Sequence, residues 1–180
     1  MLLIGRKKEI ETLNRIYNEN KASFLVMYGR RRIGKTELIK HFISNKKGFY
    51  FLAQQKSIKE EFQRLKEKFG KQFNIYIEAN NFEEFFNEIF EKINKKIVFV
   101  IDEFPYWIQQ NPEVLSEFQY YWDEILSKKP IMFVIIGSYV SIIENKVLAF
   151  NSPLYGRATH RLLLQELPIF TLKKFFPNLK

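Results

Sequence analysis

GRRRIGKT, residues 29–36, entered from ASFLVMY (22–28) and followed by ELIKHFI (37–43), decides how this chain is read. It fits the pattern G-x-x-x-x-G-K-[ST] as Gly29, Gly34, Lys35 and Thr36, with an apolar run before it and a helix-compatible run after it. Two glycines let the backbone wrap closely around a phosphate. The amides of the loop and of the new helix's first turn point inward, and the helix dipole adds partial positive charge. In that cradle Lys35 reaches β- and γ-phosphate oxygens and the Thr36 hydroxyl ligates Mg²⁺. Arg30, Arg31, Arg32 and Ile33 fill the loop, and Glu37 opens the following helix.

Outward from the loop, short β-rich runs alternate with longer amphipathic segments. Strands are expected at 23–28, 49–53, 97–101, 131–136 and 161–167, and helices at 7–17, 36–43, 58–69, 82–93, 112–126 and 139–150. Three of the strand runs are apolar without alternation, the mark of strands buried on both faces. The pattern is that of a parallel sheet between two layers of helices. Asn80 with Glu83 reads as a capping box, and Pro112 as a first-turn proline.

The second run of chemistry is IVFVIDEF. Asp102 ends the strand, where it can hold Mg²⁺, and Glu103 follows as a general base for water. The chain contains only two aspartates, Asp102 and Asp123, so an aspartate at this strand end is not routine composition. The run IMFVIIGS ends in Ser138, which either orients the lytic water beside a γ-phosphate or caps a helix. Arg157, on a Gly-flanked loop, either stabilises charge on a transferred phosphoryl, in cis or from a neighbouring subunit, or makes a surface ion pair; Arg161 is a weaker candidate for the same role. The aromatic cluster Phe104-Pro105-Tyr106-Trp107 reads as core packing or as a partner contact.

Bulk properties restrict the classes that remain. The 180 residues, 46% hydrophobic, suit one domain with a buried core. The absence of cysteine removes disulfides, thiolate metal sites and cysteine nucleophiles, and His41 and His160 are too few for a histidine metal site. No apolar run has the length of a membrane span and no signal-peptide pattern opens the chain, so a cytoplasmic protein without a membrane partner is expected. The net charge of +9 is segmental: residues 1–70 carry 17 Lys and Arg against 7 Glu, while residues 71–129 are net acidic. The basic block includes the loop itself, where it suits a nucleoside triphosphate as well as it suits nucleic acid.

GRRRIGKTELI, FVIDEFPYW, VIIGSYVSII, SPLYGRATHRLLLQELP and the opening LLIGRKKEIETL together resemble the archaeal-type ATPases of the AAA+/STAND group of P-loop NTPases, over nearly the whole chain. The resemblance implies an α/β, three-layer αβα RecA-like core with a five-stranded parallel sheet in the order 5-1-4-3-2. It also implies ATP rather than GTP, and a role as a nucleotide-driven switch. It matches residues 29–36 to the Walker A loop, Asp102 and Glu103 to the Walker B pair, and Ser138 to the sensor position, where the following Tyr139 departs from the small residue relatives often carry. It adds Ile4, Gly5 and Arg6 as the stretch beside adenine. Members of that group usually continue into a winged-helix segment and often a nuclease-like domain. Residues 1–180 are therefore expected to be the ATPase core without them, and ATP binding is expected more firmly than turnover. A nucleotide-gated interaction module, a nucleic-acid-associated ATPase and a homo-oligomer stay open as alternatives.

Overall fold

A computed structural model describes residues 5–168. Five parallel strands, β1 (Ser23–Tyr28), β2 (Gly48–Leu52), β3 (Ile97–Asp102), β4 (Ile131–Gly137) and β5 (His160–Leu163), form one sheet in the order β2-β3-β4-β1-β5, as expected. β1, β3 and β4 occupy the centre and are almost wholly buried, whereas β2 and β5 alternate between covered and open positions at the edges. Helices cover both sides. α1 (Lys7–Tyr17) and α2 (Lys35–Ile43) lie on one, and α3 (Ile58–Phe73), α4 (Phe82–Lys92), α5 (Pro105–Gln110) and α6 (Val114–Glu124) on the other.

The register levels the strand ends that matter. Tyr28 pairs with Gly137 and Ile101 with Ile135, so β1, β4 and β3 finish within about one residue of one another at their carboxyl ends. Alternation along β3 then sends Ile97, Phe99 and Ile101 into the α3–α6 side and Val98 and Val100 into the α1–α2 side. Asp102 shares the phase of Val98 and Val100, which aims its carboxylate toward α2.

Several boundaries differ from expectation for local reasons. β5 stops at Leu163, because β1 turns into the loop at Gly29 and offers no partner beyond the bond from Leu164 N to Tyr28 O (2.7 Å). The cap of α4 is Asn81 rather than Asn80, its Oδ1 accepting from Glu84 N (2.8 Å), while Asn80 N donates to Glu84 Oε2. A full capping box forms at Ser57 and Glu60. Pro112 sits in the turn ahead of α6, held by Val114 N to Asn111 O, and the helix-starting proline is Pro105 of α5. The single helix expected over 139–150 is instead one turn, α7 (Val140–Ile142), running into a π-helical segment (Ile143–Val147) and then turns. The 3₁₀ turn Leu126–Lys128 precedes β4.

Phe104, Pro105 and Trp107 are buried, so the aromatic cluster after Glu103 is core and not a partner surface; Tyr106 alone stays partly open. Trp107 Nε1 donates to the fully buried Glu61 Oε2 (2.9 Å), which also accepts from Gln54 N (2.8 Å), while the other Glu61 oxygen pairs with Arg64. That buried carboxylate is satisfied on every side, as burial of a charge requires.

Candidate active site

The loop between β1 and α2 is shaped by its glycines. Gly29 has φ +150°, and a Cβ there would stand 2.4 Å from Leu164 O and 2.6 Å from Ile33 Cδ1. Gly34 (φ +92°) caps α2 in a left-handed conformation with no protein atom near where a Cβ would go, so geometry rather than crowding demands glycine. Lys35 is buried, and its Nζ donates to Gly29 O (2.8 Å) and Arg30 O (2.7 Å). Burial pushes this ammonium below the ordinary lysine value, Arg31 adds to that, and the carboxylates of Glu103 and Asp102 oppose it.

Thr36, in the first turn of α2, donates through Oγ1 to Asp102 Oδ2 (2.7 Å), joining the loop to the end of β3 across the intervening β4. Asp102 is buried, its Oδ1 accepting from Glu103 N (2.9 Å) and its Oδ2 also from Tyr50 OH (2.7 Å). Desolvation and the adjacent Asp102 raise the Tyr50 hydroxyl far above the usual tyrosine range, which keeps it a donor. Two hard oxygens, one anionic, thus meet beside the loop. Among the described residues no cluster of three or more His, Cys, Asp or Glu side chains stands ready for a metal, so a cation here takes its remaining ligands from elsewhere.

Glu103 has φ +58°, a left-handed conformation that costs a non-glycine residue about 1–2 kcal/mol. The turn swings its side chain away from Asp102 and onto β4, where Oε1 accepts from Ser138 Oγ (2.6 Å). Among the described residues its other oxygen, Oε2, is buried without a hydrogen-bond partner. An unpaired buried carboxylate oxygen carries a desolvation cost unless something polar meets it.

Lys35, Thr36, Asp102, Glu103 and Ser138 are therefore brought together. Arg6 is buried close by, but its donors go to Ile33 O (2.8 Å), Gln165 O (2.7 Å) and Glu9 (2.9 Å), so it clasps the loop to the segments before α1 and after β5. Gly5 precedes it with φ +80°, and Ile4 lies outside the described residues. Arg30 faces Glu166 at 3.4 Å, while Arg32 (φ +64°) and Glu37 are exposed. Arg157 is not brought to the loop: it holds Asp123 at the end of α6 (3.0 Å), with a further bond to Tyr155 O. Arg161 points outward on the edge strand β5. A cavity of about 470 Å³ opens beside the loop between Gly29, Arg30, Ile33, Leu164 and Gln165. Two further hollows, of about 560 and 610 Å³, lie over α3 and at the β2 edge and include none of the residues of the loop or of the Asp102–Glu103 pair in their linings. Sequence reasoning missed Tyr50, which stands between two Phe in β2, read Tyr106 only as part of the aromatic cluster, and noted Tyr139 only as a departure from a small residue.

The profile of an ATPase domain found predominantly in Archaea matches residues 3–180. The chain belongs to this archaeal ATPase family. A protein of Methanocaldococcus jannaschii is 38% identical over 177 residues, which is 98% of this ATPase domain but 39% of that protein; the chain thus spans about two-fifths of that relative. An uncharacterized ATP-binding protein of the same organism is 55% identical over 47 residues, 26% of this chain and 80% of that protein. Among solved structures, a Walker-type ATPase of Pyrococcus abyssi superposes with TM-score 0.71 at 22% identity over 97% of this chain and 57% of its own. Cdc6p from Pyrobaculum aerophilum superposes with TM-score 0.67 at 15% identity over 96% and 48%. At those identities the likeness concerns the fold alone, a parallel sheet between helices in the strand order that the resemblance implied. No helix among the described residues of the ATPase domain is long and apolar enough to cross a membrane.

Proposed function

We propose that this ATPase domain binds Mg·ATP on residues 29–36 and hydrolyses it slowly, its nucleotide state acting as a switch. The 2.7 Å contact from Thr36 to Asp102 carries this reading, because it sets a hydroxyl and a carboxylate at the mouth of a glycine-shaped phosphate cradle. Thr36 Oγ1 and the Asp102 carboxylate fit a hard cation, with the remaining ligands drawn from phosphate oxygens and water. Magnesium, when bound, neutralises charge that develops on the β- and γ-phosphate oxygens.

The protein's own groups supply the rest. Lys35 exchanges the loop carbonyls for β- and γ-phosphate oxygens, so that the buried ammonium trades neutral acceptors for charged ones. Ser138 holds Glu103 by one oxygen and leaves Oε2 to accept a proton from water. The water oxygen bonds to the γ-phosphorus, and the bond to the bridging oxygen breaks with its electron pair leaving on ADP. The water's proton passes to Glu103. Arg157, tied to Asp123, has no part in this set unless it serves a neighbouring subunit.

The test pairs calorimetry with phosphate release. Mg·ATP binding disappears in Lys35→Ala, whereas Glu103→Gln still binds and no longer releases phosphate. Hydrolysis that survives Glu103→Gln at the wild-type rate would remove Glu103 as the base.

A further inference from the structure

Of the three consecutive loop arginines, Arg31 is the one that, among the described residues, meets side chains flanking the Glu103–Ser138 pair. One terminal nitrogen donates to Tyr106 OH (3.1 Å) and to Tyr139 OH. The guanidinium carbon lies 4.6 Å above the Tyr139 ring, and the two tyrosine rings meet edge to face at 6.2 Å. Tyr106 and Tyr139 are not random neighbours. Tyr106 N donates to Glu103 O (2.9 Å), and Tyr139 directly follows Ser138, whose hydroxyl holds the Glu103 carboxylate. One side chain of the phosphate loop is thus clipped to the two strand ends that carry the base and its holder.

Three features make this clip releasable. Arg31 is exposed, its partners are neutral phenols rather than carboxylates, and among the described residues its other nitrogens make no hydrogen bond. A guanidinium prefers a phosphate, which offers charge and a matching pair of acceptors, over two hydroxyls. Its place in the loop is also right: Arg31 lies four residues before Lys35, the group that meets the γ-phosphate. Arg30 faces Glu166 and Arg157 holds Asp123, so neither competes for the task.

We propose that Arg31 reads the γ-phosphate in cis: with ATP bound its guanidinium leaves the Tyr106–Tyr139 clip for γ-phosphate oxygens, and with ADP bound it stays on the tyrosines. Its charge then faces the phosphoryl group as the bond to ADP breaks, while Tyr106 and Tyr139 act as positioning residues that report the nucleotide to the Glu103 and Ser138 loops. This rests on the ATP-site reading above.

Calorimetry with Mg·ATP and Mg·ADP on the full chain tests it, with circular dichroism confirming that each variant is folded. Arg31→Ala weakens ATP about tenfold and leaves ADP within about twofold, and Arg31→Lys recovers part of the ATP loss. Tyr139→Phe tightens ATP severalfold, because the hydroxyl no longer competes for Arg31, and has no effect in the Arg31→Ala background. ATP and ADP weakening equally in Arg31→Ala, or no change in either, overturns the γ-phosphate role. A Tyr139→Phe effect that persists without Arg31 overturns the clip. A wild-type chain that binds neither nucleotide breaks the ATP-site reading and this inference with it, whereas one that binds both equally through Arg31→Ala breaks the inference alone.

Discussion

On one face of the sheet Phe24, Phe49, Phe51, Phe99 and Phe133 pack beneath α3 to α6, while the other presents Leu25, Met27, Val98, Val100, Met132, Val134 and Ile136 to α1 and α2. The aromatic face is deep and closed. Phe99 alone meets Phe49, Phe69, Phe85, Phe86 and Phe133 at centroid distances of 4.9–6.2 Å. The aliphatic face is covered by fewer helices and passes at its upper end into Tyr50, Thr36, Asp102 and Lys35. Bulk hydrophobic burial and the polar site are thereby separated by the sheet. The aromatic side holds the strands rigid, so that the other side can bury the charges of Lys35 and Asp102 at its end without carrying the fold alone.

Substitutions can break this division or sharpen it. The largest effect is expected for Phe99→Ala, which empties the centre of the aromatic face and costs about 3–5 kcal/mol in denaturant-monitored stability, with nucleotide affinity of the folded protein unchanged. An equal loss from trimming the aliphatic face would erase the distinction. Tyr50→Phe, on that face, removes a hydrogen bond to a buried carboxylate, for a loss of about 1.5 kcal/mol. It also weakens nucleotide binding severalfold with magnesium present but not in its absence, since Asp102 loses the donor that orients it. Affinity that falls equally in both conditions would place Tyr50 outside the cation's surroundings. Ile136→Val shortens one aliphatic side chain and is expected to cost about 1 kcal/mol, read from the same denaturation curves.

The smallest effect is one of pH. The native value of Lys35 is lowered, so between that value and the ordinary 10.5 the unfolded chain binds more protons at this residue than the folded one. Stability therefore rises with pH through that window, and below it the buried charge is a constant penalty. Lys35→Met removes the term. It should be more stable than the wild type at neutral pH, with the gap narrowing as pH approaches 10.5. A gap that widens toward alkaline pH would mean that the Glu103 and Asp102 charges outweigh burial.

Much of the site was legible in the chain because its parts are local. Gly29, Gly34, Lys35 and Thr36 lie within eight residues, and Asp102 and Glu103 are adjacent, so spacing alone exposes them. Buried strands were legible for the same reason, from uninterrupted apolar runs, but FYFLA (49–53) is such a run too and lies on the edge strand β2. Tyr50, Tyr106 and Tyr139 were not, because each reaches its partner across at least 52 residues and a tyrosine among phenylalanines carries no periodic signal. Arg157 stood on a loop that looked suited to phosphoryl chemistry, yet Asp123, the chain's other aspartate, takes its donors. The segment after Tyr139 misled in another way: its helical composition is real, but its bonding opens to the i→i+5 pattern, as in Leu148 N to Ile143 O (2.9 Å).

By itself the sequence determined where the glycine-shaped loop lies, that strands and helices alternate around a parallel sheet and which carboxylates end a strand, because those properties are written in short spacings and in hydrophobic period. Only the tertiary structure decided that Thr36 meets Asp102, that Glu103 leans on Ser138 and that Arg31 rests on two tyrosines. Those contacts depend on strand order and register, which place β4 between β1 and β3 and level their ends to within a residue, and no local stretch of chain contains that information.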